Sequence, residues 1–281
     1  MENVKDISKQ VITFFAITVM ISTGIFVWMF NCGKDSMVAV LLMMWTPGIS
    51  AITTSLIYKD KIREYGWKPG KISFLGYAYL LPLVISLIAY GIAWLSGLTE
   101  FSTAEVVQYK WARMLGFESP APFIIGVLSK MSLGFLLTCL PVLGEEIGWT
   151  GFLTPKLLKI YSVPVTSLIV GLFWAVWHFP AIIGGFYGQG TPLWVALPGF
   201  TLVIVGDSFI RTVLVKKSKS LWTGVVLHSS SNIILMGMFW EMTVHKGYAA
   251  YIVSETGILT GIVCIATALT FWKFQMKRLP M

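Results

Sequence analysis

The sequence predicts an all-α fold, a polytopic bundle of about eight transmembrane helices. Apolar runs of about 20 residues, enough to cross ~30 Å of hydrocarbon, recur along the 281 residues. Only 12% of the chain is charged, against ~25% in a soluble domain. The remaining way to satisfy a backbone in lipid is a closed barrel. Barrel strands read as short alternating segments, whereas the runs here are long and continuously apolar.

The spans are expected at residues 11–30, 37–58, 73–96, 126–155, 163–183, 194–215, 221–240 and 249–272. The first is too long for a signal-peptide core, and no small-residue cleavage site follows it. The fourth is interrupted by Lys130 and two glutamates, so Lys130 is expected to snorkel towards an interface. Lys and Arg are unevenly shared between the two sets of loops. The N-terminus, 59–72, 154–162, 211–220 and the C-terminus hold 16, and the alternate set holds 5. That bias places both termini in the cytoplasm. It also accounts for the net charge of +8 as topology signals and headgroup contacts, so no nucleic-acid partner is expected. The 97–122 connection, of mixed charge, is expected to hold an interfacial amphipathic helix. Cys32, Cys139 and Cys264 are scattered and show neither metal-ligand nor disulfide spacing. With no linker or repeat visible, residues 1–281 read as one membrane domain.

The chemistry lies in the polar residues that the apolar spans carry. Glu145 and Glu146 are adjacent, and a carboxylate at the bilayer centre costs ~3 kcal/mol on insertion scales. On a helix they point ~100° apart, so one is expected to face a cavity and the other a supporting position. Low dielectric and like charge penalise ionising both, a setting in which one can serve as general base. His228 and Asn232, four apart, share a helix face, in the half of the bilayer near the basic 216–219 segment. His178 follows Trp174-Ala-Val-Trp177 on another span. Each has a plain structural reading: a helix–helix hydrogen bond for His228 and Asn232, a backbone carbonyl partner for His178. Together they change the weighing, because ionisable groups in membranes converge on a common interior. A carboxylate to activate water, an imidazole to position it, and imidazole and amide donors for an oxyanion suffice for peptide hydrolysis. Glu145, His178, His228 and Asn232 are therefore expected to line one cavity, open to the cytoplasm, with Glu146 in support.

At these residues the chain resembles the CAAX-type prenyl endopeptidases and bacteriocin-processing (Abi) proteins, a family of intramembrane proteases. The family's signature is Glu-Glu-x-x-x-Arg, then aromatic-x-x-x-His, then His-x-x-x-Asn/Asp on successive motif-bearing spans. Here these read Glu145-Glu146-Ile-Gly-Trp-Thr150, Trp174-Ala-Val-Trp-His178 and His228-Ser-Ser-Ser-Asn232. The resemblance covers roughly residues 123–240. It implies an intramembrane endopeptidase that hydrolyses a peptide bond near the C-terminus of a peptide or prenylated protein substrate. One departure stands out: Thr150 occupies the arginine position. Glu146 must then be neutral or find a cation elsewhere, such as Arg211 or Lys156. Unless such a cation is in place, Thr150→Arg is expected to restore an i,i+4 partner. Asp207 and Arg211, also four apart, read as a structural pair.

Two other readings use the same residues. A zinc peptidase would draw on Glu145, His178 and His228, but no His-Glu-x-x-His is present and asparagine is a poor zinc ligand. No metal or other cofactor is therefore expected. A proton-relaying transporter or membrane scaffold would also bury Glu and His, though no inverted repeat is visible.

Overall fold

The computed structural model describes residues 3–32, 36–102, 123–188, 190–245 and 247–277. The amphipathic helix expected within 97–122 falls almost wholly outside them. The helices are α1 (Val4–Cys32), α2 (Met37–Tyr58), α3 (Ile72–Leu95), α4 (123–157), α5 (Val163–Ile183), α6 (Leu193–Ser218), α7 (222–239), a short α8 (Ala249–Ile252) and α9 (Ile258–Lys277). Seven of them are long and apolar enough to span a bilayer. The remaining long helix, α7, carries His228, three serines and Asn232 in its middle, which lowers its apolar character. The chain is thus a multi-pass helical membrane protein. Among the described residues the one isolated β-bridge is Phe101 with Thr243.

The last span begins later than its composition suggested. The apolar run from 249 breaks after Ile252 and resumes at Ile258. Glu255 lies in that break and is buried, 4% exposed. Burial pushes its carboxyl above the ordinary carboxylate range. Lys130 does not snorkel free either, since it meets Glu241 at 2.5 Å.

Contacts between loops show which helix ends lie together. The Leu221 amide donates to Gly66 O at 2.8 Å, joining the 59–71 loop to the start of α7. At the other end Ser102 N donates to Met242 O, also at 2.8 Å. The 59–71 loop and the basic 216–219 segment therefore share one end of the bundle, and the ends of α3 and α7 share the other.

Helix α6 is the hub, packed against α5 on one side and α9 on the other. It is the most deeply buried of the spans. Apolar contacts form two main clusters, one around α3, α7 and α9, the other around α1, α2, α4 and α5, with α6 contributing to both. Lipid-facing positions are legible on α4, where Leu136, Leu137 and Leu140 are at least 64% exposed. About a turn further on, Gly144, Glu145 and Glu146 are all buried.

Glycine sets the α2–α4 contact. A Cβ on Gly148 would lie 2.6 Å from Pro47 Cβ, and one on Gly144 2.6 Å from the Trp45 ring. This spacing, small-xxx-small, lets two backbones approach closely in lipid, where packing drives association. Gly148→Ala is expected to cost ~1–3 kcal/mol through overpacking. Gly76→Ala, whose Cβ meets nothing within 4 Å, should be neutral or slightly stabilising through helix propensity. Thermal unfolding in detergent checks both, and equal melting temperatures would refute the close-packing argument.

Candidate active site

The sequence places Glu145 and Glu146 at the end of a regular helical stretch, and the next seven residues, Ile147–Leu153, form a π-helical segment. A second π segment, Ser231–Phe239, begins between His228 and Asn232. Wide turns of this kind are often found at functional sites. Here they offset the side chains that follow each motif.

The two glutamates do diverge. Glu145 lines a cavity of about 210 Å³, whose walls also include His178, His228 and Asn232. The four residues singled out from the sequence are thus brought together. Glu145 Oε2 accepts from two indoles, Trp149 Nε1 at 3.2 Å and Trp174 Nε1 at 3.0 Å. The second carboxyl oxygen, Oε1, is left without either indole.

Glu146 turns the other way and is fully buried. Thr150 Oγ1 donates to its Oε2 at 2.5 Å, and His228 Nδ1 lies 2.9 Å from its Oε1. Arg211 makes an ion pair with Glu146 through Nη1 and with Asp207 through Nη2. Its guanidinium also lies over the Trp174 ring, 4.4 Å from the centroid, a further favourable contact for a desolvated cation. Lys156, the other cation considered, is taken by Asp60 at 2.7 Å.

This arrangement corrects one expectation and meets another. Asp207 and Arg211 are more than a structural pair: the guanidinium bridges Asp207 and Glu146. The vacancy at Thr150 is also already compensated, because the cation arrives from α6, 61 residues further along the chain, instead of from the next turn of α4. Thr150 then serves as a hydrogen-bond donor to the same carboxylate. Gly224 makes room for it. A Cβ there would lie 2.5 Å from Glu146 Oε2 and 2.9 Å from Thr150 Cβ.

Both imidazoles have Nδ1 engaged. His178 Nδ1 lies 3.1 Å from Trp174 O. A carbonyl only accepts, so Nδ1 carries the proton. The plain structural reading of His178 is therefore true together with the functional one: the backbone bond fixes the ring, and Nε2 is the nitrogen left for the cavity. His228 Nδ1 faces the Glu146 carboxylate, which likewise requires a proton there. Trp174 packs edge-on against His228, with ring centroids 5.1 Å apart.

The residues that sequence reasoning missed are aromatic. Trp149 and Trp174 were given no role from the sequence, yet each donates to Glu145. The available signal was spacing: Trp149 is four residues after Glu145, and Trp174 four before His178. Tyr187 also lines the cavity and packs near His178, centroids 5.8 Å apart. The walls also include Phe26 and Met29 near the end of α1, Val40 at the start of α2, and Phe186 after α5. Among the described residues, no group of three or more His, Cys, Asp and Glu forms a metal-holding set.

Residues 127–234 match the family model described as type II CAAX prenyl endopeptidase, Rce1-like. The chain is also 27% identical over 209 residues to CAAX prenyl protease 2 of Methanococcus maripaludis. That alignment covers 69% of this chain and 72% of the relative. The resemblance read from the three motifs is borne out, and the matched segment contains Glu145, His178, His228 and Asn232.

Arg211→Leu is expected to lose roughly 3–5 kcal/mol, since it strands buried carboxylates. Thr150→Arg should also destabilise, because it forces a second guanidinium into a filled site. In the Arg211→Leu background, however, Thr150→Arg should recover part of the lost stability. Melting temperatures of the four proteins form the cycle. A Thr150→Arg single variant more stable than the parent would refute the assignment of Arg211.

Proposed function

We propose, from the premise that this chain is a CAAX-type intramembrane endopeptidase with an Rce1-like core, that Glu145 is its general base. The observation that carries this reading is the one cavity shared by Glu145, His178, His228 and Asn232. Two indole donors hold Oε2, so the carboxylate is oriented and Oε1 takes the proton of a water molecule. His178, with its proton fixed on Nδ1, accepts from that same water through Nε2 and aims it. The hydroxide oxygen adds to the peptide carbonyl carbon. The oxyanion that forms is held by the Asn232 amide and by Nε2–H of His228, doubly protonated beside Glu146. Collapse of the intermediate breaks the C–N bond, and Glu145 returns its proton to the leaving amine. Glu146, Arg211 and Asp207 position His228 and do not touch substrate.

The mechanism is proposed as metal-free. Oε2 of Glu145 faces two N–H donors, which a bound cation would oppose, and Glu146 is committed to Arg211. The cavity walls are otherwise largely apolar, among them Met29, Met43 and Met236. They suit a peptide that carries aliphatic side chains or a lipid next to the scissile bond. Both termini are assigned to the cytoplasm by the basic-residue bias.

Purified protein incubated with paired prenylated and unprenylated peptides tests this reading. The parent should cleave, with full activity after chelation. Glu145→Gln should lose turnover while keeping its melting temperature, since the amide preserves shape but cannot take the proton. Asn232→Ala should retain activity reduced by ~10²–10³-fold, the usual cost of one oxyanion donor. Parent-like rates in Glu145→Gln would end the base assignment.

A further inference from the structure

One buried carboxylate and one phenol outside the proposed chemistry are joined through a single glycine. Glu255 is buried in the break between α8 and α9. That break is docked closely on α6, where a Cβ on Gly199 would lie 1.9 Å from Thr256 O. The Glu255 carboxylate accepts the Gly188 N–H, and Thr256 Oγ1 donates to Thr191 Oγ1 at 3.4 Å. Both bonds tie the break to the turn that follows α5. Gly188 has a φ of 97° there, a conformation that glycine adopts freely, and its carbonyl accepts from Thr191 N at 2.9 Å. An acid buried at high cost therefore holds the residue next to Tyr187.

Tyr187 is fixed on three sides. Its ring meets Phe200 edge-on, centroids 5.6 Å apart, and lies 5.8 Å from that of His178. Its hydroxyl donates to Met236 Sδ at 3.4 Å. A thioether is a weak acceptor, and a buried tyrosine hydroxyl ordinarily finds a better one. Burial pushes the phenol above its ordinary value, so the group stays a donor. Met236 follows Asn232 by four residues, about one helical turn or ~5 Å. An extended peptide advances ~3.3 Å per residue. With its scissile carbonyl at Asn232, such a peptide brings a neighbouring carbonyl within reach of Tyr187 Oη. The cavity walls are otherwise largely apolar, and a peptide carbonyl buried there without a donor is costly.

We propose that Tyr187 is a substrate-binding residue whose hydroxyl donates to the peptide carbonyl next to the scissile one, and that Glu255 is the positioning residue that holds it there through Gly188. This rests on the peptidase reading for the place of the scissile bond, but it is read from binding, which needs no turnover. The probe is a fluorescently labelled, farnesylated peptide ending in Cys-Val-Ile-Met, titrated onto the detergent-solubilised Glu145→Gln protein. Adding Tyr187→Phe should weaken binding about 3–10-fold, the worth of one neutral hydrogen bond. Sulfur in place of oxygen at one of the two carbonyls flanking that of the cysteine should weaken binding when Tyr187 is present and change nothing in Tyr187→Phe. Glu255→Leu should match Tyr187→Phe, with no further loss when the two are combined. Glu255→Gln, whose amide oxygen still accepts the Gly188 N–H, should bind as tightly as Glu255. Unchanged affinity in Tyr187→Phe, sulfur substitutions felt equally by both proteins, additive losses with Glu255→Leu, or absence of binding overturns the proposal. Cleavage of the same peptide by the parent tests the peptidase reading separately. Binding without cleavage would end that reading and leave the Tyr187 contact standing.

Discussion

A carboxylate that lipid cannot solvate governs this structure. Glu146 is fully buried, and such a charge persists only when paired and hydrogen-bonded. The pairing here joins four elements: α4 supplies Glu146 and Thr150, α6 supplies Arg211 and Asp207, α7 supplies His228, and α5 places Trp174 beneath the guanidinium. In lipid there is little hydrophobic force to bring helices together. An ion cluster spanning four of them therefore fixes their mutual rotation as well as neutralising charge.

The geometry of the candidate site follows from that rotation. With Glu146 held towards α6, its neighbour Glu145 must turn into the space bounded by α5 and α7. The glycine contact of α4 with α2 leaves α4 no other way to roll. His228 is then oriented by the carboxylate at Nδ1, and His178 by the backbone of its own helix. Each ring is fixed at one nitrogen and offers the other to the cavity. The wide π turns after Glu146 and before Asn232 fit this picture, since they reset the register of the helix on the far side of each motif.

Much of this was legible in the sequence. The spans showed as apolar length, and the site as polar residues too costly to sit in lipid without a shared interior. Glu145, His178, His228 and Asn232 could be named because each is out of place in its own segment. What remained hidden depended on partners between helices. Thr150 shows that a cation is missing, and Arg211 could be named beside Lys156, but the choice between them needs the partner helix, because i,i+4 spacing describes one helix and the ion pair crosses two. Trp149 and Trp174 look like any membrane tryptophan until the carboxylate between them is seen.

The position of Arg211 also makes residues 150, 211 and 224 interdependent. With arginine at neither 150 nor 211, Glu146 is stranded in hydrocarbon; with both, two guanidinium groups crowd the space beside Gly224, where even a Cβ would lie 2.5 Å from Glu146 Oε2. What one of these positions tolerates is therefore set by the other two, although 61 residues of chain separate the first two.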